Sequence, residues 1–204
     1  MIVRPPPSLS LRLVSSASHS RAFKPASQTR HFILPTSRQR FTATRTLAHP
    51  PSKLFTLISD INSYSSFVPF CLSSTVTSVS PPPESYPTTA DLRVGWGGFD
   101  ETFTSRVKCE KFTGKEGGLV EADATQNGIF EVLKATWVIN NHDNKGSSSE
   151  TRRDGDGESK VDLEIEYKFA NPLYAVMSEA VMPTVAGKII EAFEGRVEKV
   201  LGKK

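Results

Sequence analysis

The apolar positions of this chain change period several times, and each change predicts an element. Weak alternation through "FTATRTLA" (41–48) predicts a first strand. "HPPSKLFTLISDI" follows, with prolines suited to a helix start and Leu54, Phe55, Leu57 and Ile58 on one apolar side. Ile61 and Tyr64 keep the helical spacing. Then Phe67, Val68, Pro69 and Phe70 come consecutively, and Pro69 stops the helix where it turns apolar. "LSSTVTSVS" (72–80) is Thr/Val-rich and strand-like, ending at Pro81, Pro82 and Pro83.

Strict alternation takes over next. Ala90, Leu92, Val94 and Trp96 point one way, while Asp91, Arg93 and Gly95 point the other. A turn at Gly97-Gly98 leads to a strand with Phe99, Glu101, Phe103, Ser105, Val107 and Cys109 on one face. Strands at 118–124 and 133–140 are joined through a turn at Asn127-Gly128, and Trp137 shares a face with Leu133, Ala135 and Ile139. Residues 141–160 show no apolar period and many Gly, Ser, Asp and Asn, which predicts a flexible hairpin loop. "VDLEIEYKF" (161–169) alternates most clearly of all. Asn171-Pro172 then opens a final helix, about 172–201, with an i+4 ridge through Val181, Val185, Ile189, Phe193 and Val197. Pro183 is expected to kink it.

This order predicts an α+β fold, a curved antiparallel β-sheet wrapped around a long C-terminal helix. Each strand has a single apolar face, and one long helix is available to cover them all. Such a sheet leaves an apolar cavity beside the helix unless large side chains fill it. The architecture is that of a binding cup.

Charge divides the 204 residues unevenly. Nine of the 25 Lys and Arg precede Asp60 and none of the 22 Asp and Glu does, so the remainder carries 16 basic against 22 acidic residues. The basic character belongs to the N-terminus, which excludes a nucleic-acid binder with its basic stripe on the domain. Residues 1–40 are Arg-rich, Ser-rich and free of acids, as a mitochondrial transit peptide is, with a cut expected after the "RHF" of 30–32 or near 40. That leaves 41–204 as the folded domain. Cys71 and Cys109 make no disulfide framework and suit a reducing compartment. No run of roughly 18 apolar residues suggests a membrane-spanning helix.

Candidate chemistry is sparse. The domain holds two histidines, His49 and His142, and shows no Ser-His-Asp set, metal-ligand spacing or phosphate-binding glycine motif. "DGDGE" (154–158) lacks the calcium-loop pattern and reads as solvated loop. No catalytic residue, metal or cofactor is expected. Glu101 shares a face with Phe99 and Phe103, so it must be paired, protonated or near the mouth of the cup; a register shift at Gly97-Gly98 or an internal salt bridge would account for it equally. Trp96 and Trp137 read as core, and in a cup the core and the pocket wall are one surface.

"LISDINSYSSFVPFC", "LRVGW" (92–96), "ETFTSRV" (101–107), Trp137, "YKFANPLY" (167–174) and "AFEGRVEKV" (192–200) together resemble the mitochondrial coenzyme Q-binding proteins. These belong to the polyketide-cyclase-like branch of the START, or helix-grip, superfamily. The resemblance covers about residues 41–201. It departs from the family at Pro183 and Gly195, which interrupt the helix, and in the longer 141–160 loop.

What the resemblance implies is a non-catalytic ubiquinone-binding chaperone that supports respiration and quinone biosynthesis. It would lie peripherally on the matrix side of the mitochondrial inner membrane, with possible contact to quinone-biosynthesis or respiratory complexes and none to nucleic acid. The expected ligand-contacting residues are Leu92, Val94, Trp96, Phe99, Glu101, Phe103 and Trp137 on the sheet. Val181, Val185 and Ile189 join them from the helix, and Phe67, Val68, Pro69 and Phe70 from the connection. That connection and the kinked helix are expected to form two jaws of an entrance. Two rivals stand beside this reading. One is a cyclase, aromatase or hydrolase using Glu101 or His49 on a hydrophobic ligand; the other is an interaction module with the long helix as a dimer face.

Overall fold

A computed structural model describes residues 38–96, 99–113, 116–125, 128–142, 157–171 and 182–203, with backbone alone at Trp96, Phe99, Met182 and Pro183. Several expectations lie outside these residues: the targeting segment up to 37, the Gly97-Gly98 turn, most of the 141–160 loop, Val181, and the helix from 172 to 181. The Pro183 kink lies at that boundary and is not described either.

Seven strands form one antiparallel sheet: β1 (Gln39–Leu47), β2 (Cys71–Val79), β3 (Pro87–Trp96), β4 (Phe99–Lys111), β5 (Gly117–Asp123), β6 (Phe130–Asn141) and β7 (Ser159–Phe169). Their order is β1-β7-β6-β5-β4-β3-β2, a meander from β2 to β7 with β1 added to its last strand. Because β1 and β2 lie at opposite edges, residues 48–70 must cross from one edge to the other. They do so through helix α1 (Pro51–Ser59) and a 3-10 helix (Ile61–Ser66). Helix α2 (Met182–Leu201) follows the last strand.

The period-two reading of the strands holds. On β4, Phe103, Ser105 and Val107 are buried while Thr104, Arg106 and Lys108 are exposed. On β7, Val161, Leu163, Ile165 and Tyr167 are buried in turn. The opposite face is polar and cross-linked, by Arg40 to Glu164 and Glu166, Lys134 to Glu121, and Arg93 to Asp100 in a bidentate pair at 2.5 and 2.7 Å. That pairing holds the Asp100 carboxyl below the usual carboxylate range.

Helical spacing carried across residue 60 misled in one respect: α1 ends at Ser59. Ser59 and Ser63 hydroxyls donate to the Thr56 and Asp60 carbonyls, the local bonds by which Ser, Asp and Asn compete with a helix ladder. The 3-10 helix instead covers the edge strand β2. Ser74 Oγ donates to the Ile61 carbonyl at 2.6 Å, and Asn62 Oδ1 accepts from the Val76 amide at 2.8 Å.

On α2 the buried stripe is Ala186, Ile190, Phe193 and Val197, with Val185 and Ile189 half-buried beside it. A strict i+4 ridge drifts by about 40° at each step, so a straight helix buries residues by alternating steps of three and four. The expected ridge is corrected accordingly. Core and cup wall coincide: Leu54, Phe55 and Ile58 of α1 pack with Trp137, Ile139, Val161 and Leu163 of the sheet and with the α2 stripe.

Candidate functional site

Aromatic side chains gather where α2, the 3-10 helix and the sheet meet. Phe193 is the hub, its ring centroid 4.6 Å from Trp137, 5.0 Å from Phe67 and 5.2 Å from Tyr64. Phe67 and Tyr64 also meet edge to face at 5.7 Å. A second group runs along the sheet, with Phe130 at 5.7 Å from Phe103 and 4.3 Å from Phe169. Edge-to-face and tilted contacts of this kind add roughly 0.5–1.5 kcal/mol each beyond burial.

These rings meet in the angle between α2, the 3-10 helix and the sheet. The cavity beside the hub measures about 20 Å³, with Leu54, Ile58, Trp137, Val161, Ile190 and Phe193 among its walls. That is room for one water, against roughly 300–1,000 Å³ for a small-molecule pocket. Arg45 and Glu194 stand at its rim, paired at 2.8 Å. Phe193 lies between this cavity and the segment 67–70.

That segment lies against α2 along its length. The Arg196 guanidinium sits 5.4 Å from the Phe67 ring and the Lys188 ammonium 5.9 Å from the Phe70 ring. Eight residues of helix, about 12 Å, separate the two cations, so the segment runs antiparallel to the helix with a cation on an aromatic face at each end. Phe67, Val68, Pro69 and Phe70 are each partly exposed, and Phe70 adopts φ +67°, a left-handed conformation costly for a non-glycine residue. Its carbonyl accepts from the Gly95 amide at 3.0 Å, which ties the segment to the end of β3. Leu72 lies over Gly95, where a Cβ would come within 2.5 Å of it, and remains 54% exposed.

The other expected residues distribute as follows. Phe103 and Trp137 are buried in the main core; Val94 is partly buried against it, and Leu92 against a smaller cluster with Ala90 and Val107. Glu101 lies on the inward side of β4, opposite Val94, but is exposed, at the end of the sheet where Phe70 is tied. Neither buried pairing nor burial in the cup describes it. His49 is buried at the far end, its carbonyl accepting from Ser159 Oγ at 2.5 Å. From Glu101 to Lys111, at the His49 end, is ten residues of β4, about 33 Å of extended chain. The two side chains named as alternatives for acid-base work therefore stand at opposite ends of the sheet.

Burial shapes the titrating groups near the hub. The Cys109 thiol is pushed up to about 11 by burial, Cys71 is also raised by burial, and the Tyr64 hydroxyl is raised by burial and by its thiol and Asp60 neighbours. Tyr64 donates that hydroxyl to the Ile58 carbonyl. All three groups are neutral at pH 7, and the thiols are poor nucleophiles. Among the described residues no group of three or more His, Cys, Asp or Glu is placed to hold a metal, and no helix is long and apolar enough to cross a membrane.

Sequence reasoning missed Lys188 and Arg196. Single cations on a helix flank read as solvated, and only the contact with a ring from a distant segment distinguishes them.

Residues 47–194 match the family described as polyketide cyclase / dehydrase and lipid transport. The mitochondrial coenzyme Q-binding protein of Schizosaccharomyces pombe is 40% identical over 153 residues, covering 75% of this chain and 83% of the relative. Its counterpart in Eremothecium gossypii is 32% identical over 162 residues, covering 79% and 74%. In three dimensions the chain is similar to an aromatase/cyclase from Streptomyces sp. R1128, with a TM-score of 0.60, 16% identity, and coverage of 81% of this chain and 96% of that one. At that identity the likeness shows the fold alone.

Proposed function

Because this chain belongs to the polyketide cyclase / dehydrase and lipid transport family and aligns over most of its length with mitochondrial coenzyme Q-binding proteins, we propose that it binds ubiquinone or its polyprenylated intermediates without catalysing a reaction. It serves as a chaperone for respiration and quinone biosynthesis, peripherally on the matrix side of the mitochondrial inner membrane. The observation that carries this reading is the seam where α2 lies on Phe67–Phe70, apolar, partly exposed and backed by the Phe193 hub.

Physical chemistry supports a carrier. Each isoprene unit gains roughly 3–4 kcal/mol on leaving water, at about 0.8 per carbon. A bilayer offers nearly the same, so protein and membrane hold a long tail almost equally and transfer is reversible in both directions.

The test is mass spectrometry of lipids that co-purify with the folded domain, joined to titration of tryptophan emission with a short-tailed ubiquinone. Quinone in the preparation and quenching of Trp137 are expected. Absence of both overturns the reading. The targeting element is checked separately, by whether residues 1–40 carry a reporter into mitochondria and are removed.

A further inference from the structure

A benzoquinone ring offers two carbonyl acceptors and no donor, so a site that orients it needs an N–H or O–H aimed at the ring edge and flat apolar faces on either side. Most inward polar groups near the hub are already committed. Tyr64 donates to the Ile58 carbonyl, Ser74 to that of Ile61, and Arg45 pairs with Glu194. Among the described residues two buried side-chain atoms lack a partner, Asn141 Oδ1 and Arg196 Nε. Asn141 lies four residues beyond Trp137 on β6, about 13 Å away toward the α1 end, and its orphan atom is an acceptor, as the carbonyls are. Arg196 Nε is a donor, and it lies at the seam.

From this we infer that the Arg196 Nε–H is the hydrogen-bond donor for a ring carbonyl of the bound quinone. This assignment rests on the quinone-binding reading above and names the residue that orients the head. The guanidinium already lies 5.4 Å from the Phe67 ring, and Phe67 meets Phe193 at 5.0 Å, so aromatic surface flanks the donor. Arg196 also shares one flank of α2 with Ile189, seven residues earlier, and with the half-buried stripe the tail would follow. A buried N–H with no acceptor is unfavourable, and a carbonyl arriving from the membrane relieves it. A polyprenyl chain without the ring gains nothing from it. Arg196 therefore separates quinones from other prenyl lipids.

The experiment compares a short-tailed ubiquinone with the same tail on a benzene ring lacking both carbonyls, using full-length folded protein and fluorescence titration. Wild type is expected to prefer the quinone by about tenfold, the value of one charge-assisted bond. Arg196→Met should reduce that ratio to near one while holding the carbonyl-free probe within about twofold. Should Arg196→Met fail to fold, the infrared carbonyl stretch of isotope-labelled ubiquinone on wild-type protein decides the matter, since a guanidinium bond lowers its frequency. A retained preference in Arg196→Met, or an unshifted carbonyl on wild type, overturns the assignment while leaving quinone binding in place. Failure of wild type to bind the quinone at all overturns the functional reading itself.

Discussion

Beneath α1 the sheet is finished with side chains that see no water: Leu54 and Ile139 are fully buried, and Phe55 and Leu163 nearly so. Gly118 admits the Phe55 ring to contact a Cβ would forbid, and Ser159 fastens the connection at His49. At the other end, residues 67–70 are partly exposed, one of them sits in a left-handed conformation, and the contacts to α2 are rings and cations. The same strands run through both ends. One is closed by fully buried side chains, where the loss of a methylene is felt, and the other is held by contacts at a partly exposed surface.

The largest effect is expected from Gly118→Val. A Cβ there lies 2.5 Å from the Phe55 ring and 2.6 Å from the Glu110 carbonyl oxygen, and backbone cannot step aside. A loss of more than about 4 kcal/mol in denaturant unfolding, or no folded protein, is expected. A folded variant of near-normal stability would mean that the α1 end is as yielding as the seam. Trp137→Ala comes next. Trp137 is only 6% exposed and touches the hub, so about 3 kcal/mol should be lost, with quinone quenching abolished alongside. A small loss in melting temperature would make Trp137 wall rather than core.

Val68→Ser with Phe70→Ser sharpens the contrast. Both residues are partly exposed, so less than about 1 kcal/mol should be lost while transfer of ubiquinone between liposomes slows severalfold. A large loss of stability with transfer intact would make the segment a structural plug. The smallest effect concerns pH. The folded state raises Cys109 from 9.0 to about 11, so it binds the proton more tightly than the unfolded chain does. Its contribution is complete below pH 9 and is lost as pH rises toward 11. Melting temperature should fall faster over that window in wild type than in Cys109→Val, and parallel curves would refute the role of burial there.

Much of this was legible in the sequence, for identifiable reasons. Alternation on β4 and β7 fixes which side chains face inward, because the strand period is two and one face is covered. The family followed from motifs in order along the chain, from "LISDINSYSSFVPFC" to "AFEGRVEKV". Less legible was the break at Asp60, where the apolar spacing continued but serine side chains took over the backbone bonds. The aromatic hub was hidden too, since Phe193 reads as one more ridge position until its three ring partners are placed. Glu101 shows the limit of pattern: parity puts it on the inner face, and only its distance along the strand leaves it in solvent.

The Arg45–Glu194 pair has a mechanical consequence. It pins α2 to β1 twelve residues from Met182, about 18 Å along the helix axis. A helix pinned off-centre is a lever. A tilt of about 10° at the pin displaces Met182 by about 3 Å. Of the four buried residues of the α2 stripe, Phe193 lies one residue from the pin and Ala186 eight, so the same tilt that leaves Phe193 in place draws Ala186 away most. Displacement is thereby greatest on the Met182 side of the pin and least at the Phe193 hub.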